Sequence, residues 1–218
     1  MVKGFEIFAE AFAGFEDCYV IIGGTACDVI LSGTDMRPRA TRDIDILLVV
    51  EKMTPEFGKA FWNFIKAGEY KNSRKRTSED SEPRYEMYRF DNPKEGYPVQ
   101  IELLSRHADL LGTPTGYHLE PLPYEGVSSL SAIMLDDDLY DITVSESRVE
   151  QGGRIATPLS LICLKTKAYR NLTQDKIDGK HVNSDDLKKH KSDVLKLAAE
   201  ATGIDPITIS QSMMETIV

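Results

Sequence analysis

The chain has 218 residues, of which 41% are hydrophobic, and it carries a formal net charge of −9. This length suits one large domain or a domain with a helical extension, and the hydrophobic content is enough for a packed core. The negative charge argues against a broad, sequence-independent grip on nucleic acid, and the apolar runs are too short to span a membrane. Three cysteines without metal-ligand spacing favour reduced thiols in a cytoplasmic protein.

The first predicted elements are an amphipathic helix over residues 1 to 16 and a short buried strand over residues 19 to 22. The strand leads into a predicted turn at Gly23-Gly24-Thr25 and then a helix over residues 26 to 31. Glycine suits positions where the backbone approaches a ligand closely. Because backbone N–H groups at a helix N-terminus attract anions, this segment predicts a phosphate-binding site.

Two aspartates head the next predicted strand, which covers residues 43 to 50. Alternate side chains of a strand share a face, so Asp43 and Asp45 point the same way and Ile44 points to the other side. Two carboxylates on one face repel each other and are costly to desolvate unless a cation lies between them. Oxygen-preferring Mg²⁺ is the expected cation, with Mn²⁺ as its substitute. A pair of solvated aspartates at a strand end is the alternative interpretation.

A third acidic residue is predicted on a later strand. Glu102 is the only acid in an alternating apolar stretch, and we assign it as the partner of the aspartate pair. Glu95 and Asp91 compete for this role, but both lie in a predicted turn rich in Asn, Pro and Gly. A solvated surface glutamate is the alternative for Glu102.

The remaining segments complete an α/β part over residues 1–157 and a helical region over residues 158–218. The predicted elements are a helix over 54 to 66 with Thr54 as N-cap, strands over 85 to 90 and 99 to 104, a loop over 106 to 126, a helical turn over 128 to 135, a β-hairpin made of 141 to 149 and 154 to 157, a helix from 158, a loop over 174 to 186, and a short helix starting near 205.

A lysine lies on the apolar side of the first helix in the helical region. Lys165 has the apolar spacing of Leu161, Ile162 and Ala168, where an unpaired lysine is costly. The alternative is an amphipathic helix whose lysine reaches water. Basic clusters at 71–76 and 188–191 can meet phosphate, but such clusters are also typical of solvated surfaces.

These motifs together resemble the nucleotidyltransferase superfamily, which has the polymerase-β-like fold. The family pattern is Gly-Gly or Gly-Ser, then Asp-x-Asp on the next strand, then a third acid on a later strand. The segments Gly23-Gly24-Thr25-Ala26 and Arg39-Ala40-Thr41-Arg42-Asp43-Ile44-Asp45 look most like the AbiEii-like abortive-infection toxins. The resemblance implies an α/β (α+β) nucleotidyltransferase fold, with a mixed β-sheet, flanking helices and a C-terminal helical region.

The resemblance also implies an activity. It is metal-dependent transfer of a nucleoside monophosphate from an NTP to an RNA (tRNA-like) or protein hydroxyl, with release of pyrophosphate. A role as the toxin of a toxin–antitoxin pair, with an antitoxin protein as partner, is part of the same expectation. The alternative is an inactive nucleotide- or partner-binding module on the same fold.

Site residues follow from the resemblance, position by position. Lys165, in Lys-x-x-Ala, would contact the nucleotide's phosphates. Asp193, on the next helix, would hold or orient Lys165, or act near the attacking group. Lys167 and His190 are lesser candidates. The expected nucleotide-binding residues are Gly23, Gly24, Thr25, Thr41 and Lys165, the expected metal ligands are Asp43, Asp45 and Glu102, and the expected catalytic residues are these three acids with Lys165 and Asp193.

Overall fold

The computed structural model of the chain describes residues 2–72, 86–105, 137–201 and 208–217. The predictions for 106 to 126 and 128 to 135, and the predicted helix start near residue 205, lie outside these residues. The described helices and strands, in chain order, are α1 (Phe5–Ala11), β1 (Tyr19–Ile22), α2 (Gly23–Leu31), β2 (Asp43–Leu48), α3 (Pro55–Ala67), β3 (Lys71–Asn72), β4 (Glu86–Asp91), β5 (Gln100–Ser105), α4 (Asp137–Ser145), β6 (Ser147–Glu150), β7 (Gly153–Ala156), α5 (Pro158–Ile177), α6 (Ser184–Glu200) and α7 (Gln211–Ile217).

The strands form one mixed sheet in the order β3-β4-β5-β2-β1-β7-β6. At its centre, β2 pairs parallel with β5 and antiparallel with β1. On either side, β1 pairs parallel with β7, and β4 pairs antiparallel with β5. The prediction of a mixed sheet with flanking helices in an α/β protein is therefore confirmed at that level.

Aromatic side chains fill one face of the sheet. Phe8 of α1 and Phe12, directly after this helix, pack against α3, with the Phe8 and Phe64 rings at 5.7 Å and the Phe12 and Phe61 rings at 6.3 Å between centroids. The predicted helix at 54 to 66 is confirmed, and Thr54 Oγ1 accepts a hydrogen bond from its N-terminal turn as expected. Because α1 and α3 cover this face, the polar residues of β2 and β5 lie on the opposite one.

Two predicted boundaries in the N-terminal part need correction. The first helix is shorter than residues 1 to 16, since α1 ends at Ala11 and a separate 3-10 turn covers Glu16–Cys18. The helix after β1 begins at Gly23 and not at residue 26. The backbone of Ile22 is still extended. The strand therefore passes directly into α2, and the predicted turn at Gly23-Gly24-Thr25 is the first turn of that helix.

The predicted hairpin at 141 to 157 is partly wrong. Residues up to Ser145 belong to α4, where Leu139, Tyr140, Ile142 and Thr143 are buried at helical spacing. The hairpin itself is β6 and β7 alone. Its turn lies at Gln151 and Gly152, as predicted, and both have positive φ, at 52° and 84°.

The predicted loop at 174 to 186 is also shorter than expected. Helix α5 continues to Ile177 and α6 starts at Ser184. Gln174 Nε2 donates to Asp178 Oδ1 at 2.7 Å, and the Asn183 side chain caps α6 by accepting from Asp185 N at 2.9 Å. Polar residues here form the solvent face and the cap of helices, which is why their polarity alone indicated a loop.

Helices α5 and α6 pack along each other, and both contact α2. The change from strands to helices occurs where it was predicted, because β7 ends at Ala156 and α5 begins at Pro158. The division into an α/β domain over residues 1–157 and a helical region over residues 158–218 stays a prediction. Within the described residues, no helix combines the length and the apolar content needed to cross a membrane.

Candidate functional site

The three predicted acidic residues lie on adjacent strands of the sheet. In the parallel β2–β5 ladder, Asp43 is opposite Gln100 and Asp45 is opposite Glu102. All four side chains share one face because their strand positions alternate with buried residues such as Ile44. The structure therefore brings together the acids that the sequence predicted from separate segments.

Glu102 is buried and has two side-chain partners. Its Oε1 accepts hydrogen bonds from Arg89 Nε and from Gln100 Nε2, each at 2.8 Å. Arg89 Nη2 contacts the same oxygen as an ion pair. Sequence analysis missed Arg89, although its alternation with the buried Phe90 on β4 was a signal that it lies on the polar face.

Asp45 has an unusual electrostatic environment. Burial, together with the nearby carboxylates of Glu102 and Asp43, raises its pKa to about 8. Lys165 and Arg39 act in the opposite direction but do not cancel these effects. At neutral pH this carboxyl keeps a proton unless a cation replaces it.

The donor chemistry fits a hard divalent cation. Asp43 and Asp45 offer carboxylate oxygens on one face, and oxygen ligands are those that Mg²⁺ prefers. No group of three or more His, Cys, Asp or Glu side chains in the described part of the chain is already arranged to hold a metal. Arg89 and Gln100 both donate hydrogen bonds to Oε1 of Glu102, so this oxygen is engaged within the protein. A cation would be held first by the two aspartates.

The raised pKa of Asp45 predicts how stability depends on pH. Because the folded protein holds this proton more tightly than the unfolded chain, the contribution of Asp45 is fully present below its ordinary value of 3.8 and is lost as pH rises through about 8. In EDTA, we expect the unfolding free energy of the wild type, relative to that of Asp45→Asn, to decrease as the pH rises from 3.8 to about 8. Urea titrations at pH 5 and pH 8 measure the difference, and parallel pH profiles would contradict the prediction.

Gly23 places the start of α2 directly against Asp45. The φ of Gly23 is 71°, in the left-handed region, and a Cβ at this position would lie 1.9 Å from Asp45 Oδ2. No other residue fits this close approach without displacing the carboxylate. The helix start and the acidic face thus form one site.

Substitution of Gly23 by alanine is expected to destabilise the fold by about 1–3 kcal/mol, because the new methyl group meets a carboxylate in a strained backbone conformation. Urea unfolding measures the loss. Gly33→Ala is the matched control, since a Cβ added at Gly33 meets no atom of the described residues within 4 Å. Equal effects of the two substitutions would show that the contact with Asp45 does not constrain position 23.

Gly24 and Thr25, the next two residues of α2, also have polar neighbours. A Cβ at Gly24 would lie 2.7 Å from Thr41 Oγ1 and 2.9 Å from Arg39 Nη2, so both side chains lie over the first turn of α2. Thr25 is fully buried and its hydroxyl donates to the carbonyl oxygen of Asp43. Thr25 thereby ties α2 to β2, and its contact with a nucleotide stays a prediction.

Lys165 and Asp193 form a buried ion pair beside this helix start. Lys165 Nζ lies 2.8 Å from Asp193 Oδ2, and the two residues are 5% and 2% exposed. Arg39 Nε lies 3.3 Å from the same oxygen. Burial alone would raise the pKa of Asp193, but Lys165 and Arg39 bring it below its ordinary value. The structure thus pairs these two residues, while their chemical roles stay predictions.

Two further groups adjoin the ion pair. The Nδ1 atom of His190 is buried and has no hydrogen-bond partner among the residues that the structure describes. Burial, helped by the charge of Lys165, lowers the pKa of His190 to about 4, so the ring is neutral. Burial raises the pKa of the Cys27 thiol, which lies near Lys165. Lys167 is half-buried on α5, and its predicted role is untested.

The geometry defines a mixed α/β protein with a partly buried acidic face at the start of one helix, and with a buried Lys165–Asp193 ion pair that Arg39 also contacts. No protein-family model, curated protein or solved structure matches the chain. The resemblance to nucleotidyltransferases accordingly rests on the sequence motifs.

Proposed function

We propose that the chain has the nucleotidyltransferase fold and transfers a nucleoside monophosphate from an NTP to a hydroxyl acceptor on RNA (tRNA-like) or protein. One observation carries the proposal. Asp45 stands opposite Glu102, on the same face as Asp43, and its carboxylate lies against the first residue of α2. Acids and a helix N-terminus at one place suit a substrate made of phosphates and a divalent cation.

The acidic face is the proposed cation site. Asp43 and Asp45 would hold Mg²⁺, or Mn²⁺ in its place, and Glu102 would join them when Arg89 and Gln100 release it. When bound, the cation neutralises phosphate charge and stabilises the entering and leaving oxygens of the displacement.

The positive side of the site is the proposed triphosphate site. Among the described residues, Arg39 and Lys165 form ion pairs with the same carboxylate, Asp193, so two cations contact one anion. Arg39 also lies against Gly24, at the positive end of the α2 dipole. An anion placed there would relieve this excess of positive charge, and a triphosphate supplies it.

The chain's own residues then have distinct tasks. The start of α2, with Arg39 and Lys165, orients the phosphates, and the buried Asp193 holds Lys165 in place. The acceptor hydroxyl attacks the α-phosphorus, the bond to pyrophosphate breaks, and a carboxylate of the acidic face, by our assignment Glu102, takes the hydroxyl proton.

The direct test incubates the purified protein with each α-³²P-labelled NTP, Mg²⁺ and total tRNA. We expect label to enter RNA or protein, pyrophosphate to appear in equal amount, and both to be lost in EDTA. The absence of label from the RNA and protein fractions with every NTP would contradict the proposal.

One observation favours a second candidate, an inactive nucleotide- or partner-binding module. Glu102 already has Arg89 as a counter-ion, so the third carboxylate is engaged without a metal. Such a module would bind NTP without forming pyrophosphate, whereas the enzyme does both. Equilibrium dialysis alongside the transfer assay separates the two candidates.

A toxin role rests on the resemblance alone. The expected partner is an antitoxin protein encoded next to this chain. Expression of the wild type should arrest growth, and expression of the adjacent gene should relieve it. Growth unaffected by the active protein would remove the toxin role and leave the transfer reaction standing.

A further inference from the structure

Arg89 lies in one cross-strand row with two of the acids. It is opposite Glu102 in the antiparallel β4–β5 ladder, and Glu102 is opposite Asp45 in the parallel β2–β5 ladder. The Arg89 side chain is 32% exposed, whereas that of Glu102 is 8% exposed. The guanidinium thus lies between a buried carboxylate and the solvent, on the face that carries the proposed cation site.

A cation bound to Oε1 of Glu102 would compete with the guanidinium for that oxygen. Both Nε and Nη2 of Arg89 contact Oε1, and Gln100 donates to the same atom. A buried carboxylate is costly without a compensating charge, and Arg89 supplies that charge in this structure. A divalent cation bound to this oxygen would supply the charge instead, and the guanidinium would then lose its partner.

We propose that Arg89 is a binding residue of this site that exchanges partners. It holds Glu102 before the cation binds, and it binds a phosphate oxygen of the nucleotide once the cation has taken Glu102. The planar fork of donors that matches a carboxylate also matches a phosphate, so the same N–H groups serve both. The nucleotide part of this inference rests on the proposed function, and the cation part rests on the three carboxylates.

The test measures two affinities of Arg89→Gln. Mn²⁺ alone, titrated by electron paramagnetic resonance, should bind about tenfold tighter than to wild type because its competitor is gone. The α,β-methylene analogues of the NTPs, titrated at saturating Mn²⁺, should bind about tenfold weaker because a charged donor is lost. Arg148→Gln is the matched control, since Arg148 pairs with Glu150 on β6 by the same kind of contact, away from the acids; neither affinity should change.

The two opposite shifts distinguish the outcomes. Weaker or unchanged Mn²⁺ binding by Arg89→Gln overturns the exchange, and unchanged nucleotide binding overturns the phosphate contact. If Arg89→Gln does not fold, Arg89→Lys keeps the charge without the fork and should show smaller shifts of the same signs. Failure of the proposed function would appear differently, as wild-type protein that binds Mn²⁺ but neither binds nor transfers nucleotide.

Discussion

Asp45→Asn is expected to abolish nucleotidyl transfer, with kcat/KM reduced by about a thousandfold, because it removes a ligand from the proposed cation site. The same substitution should leave the fold intact. It replaces a carboxyl whose pKa is raised by burial and by two neighbouring acids, so the neutral amide removes repulsion. The predicted signature is an inactive protein whose unfolding free energy is at least that of the wild type at pH 8.

Asp141→Asn is the matched control for this substitution. Asp141 is exposed on α4, far in the chain from the acidic strands, and its removal should change neither activity nor stability. The readout is label transfer from the preferred NTP together with urea unfolding in EDTA. An Asp45→Asn protein that transfers nucleotide as well as the wild type would refute the assigned role of Asp45.

Asp193→Asn is expected to lower the unfolding free energy by about 3 kcal/mol, because it leaves a buried lysine without its counter-ion. Lys165 Nζ lies 2.8 Å from Asp193 Oδ2, and both side chains are almost fully buried. The remaining partner of Asp193, Arg39, would then face Lys165 with no carboxylate between them. Activity should also fall, since Lys165 would no longer be held in place.

An exposed pair on the same helix provides the comparison for Asp193. Lys189 Nζ lies 2.8 Å from Asp186 Oδ1, but both side chains are more than 40% exposed. Asp186→Asn should therefore lower the unfolding free energy by less than about 0.5 kcal/mol. The double variant Lys165→Met/Asp193→Leu should recover most of the lost stability because it replaces both charges with apolar groups. Equal effects of Asp186→Asn and Asp193→Asn in urea titrations would contradict this account of the buried pair.

Much of the acidic face could be predicted from local sequence. Strand alternation is enough to place Asp43 and Asp45 on one face, and the isolated acid in an apolar stretch indicated Glu102. Local sequence does not contain the strand order, so it could not show that Asp45 stands opposite Glu102. Arg89 could not be assigned for the same reason, since its contact depends on the pairing of β4 with β5.

The errors arose where a local pattern has two interpretations. Residues 141 to 145 alternate enough to suggest a strand, but Tyr140 and its neighbours are buried as a helix, and Tyr140 Oη donates to Glu51 Oε2 at 2.8 Å. Contacts with distant segments determine whether a segment with such a pattern forms a strand or a helix. The polar run at 174 to 186 was assigned to a loop because helix faces exposed to water are as polar as loops. Arg39 is part of the motif before Asp43, but its contact with Asp193 joins residues 154 positions apart. Local sequence therefore could not predict this contact.

In the proposed function, the acids of β2 hold a divalent cation beside a nucleotide at the start of α2. The most direct measurement is a crystal structure of the protein soaked with Mn²⁺ and an α,β-methylene NTP, with data collected for anomalous scattering by manganese. The account predicts a manganese peak coordinated by Asp43 and Asp45, with phosphate oxygens between that peak and Gly23. Manganese bound elsewhere, or a nucleotide bound away from the start of α2, would contradict it.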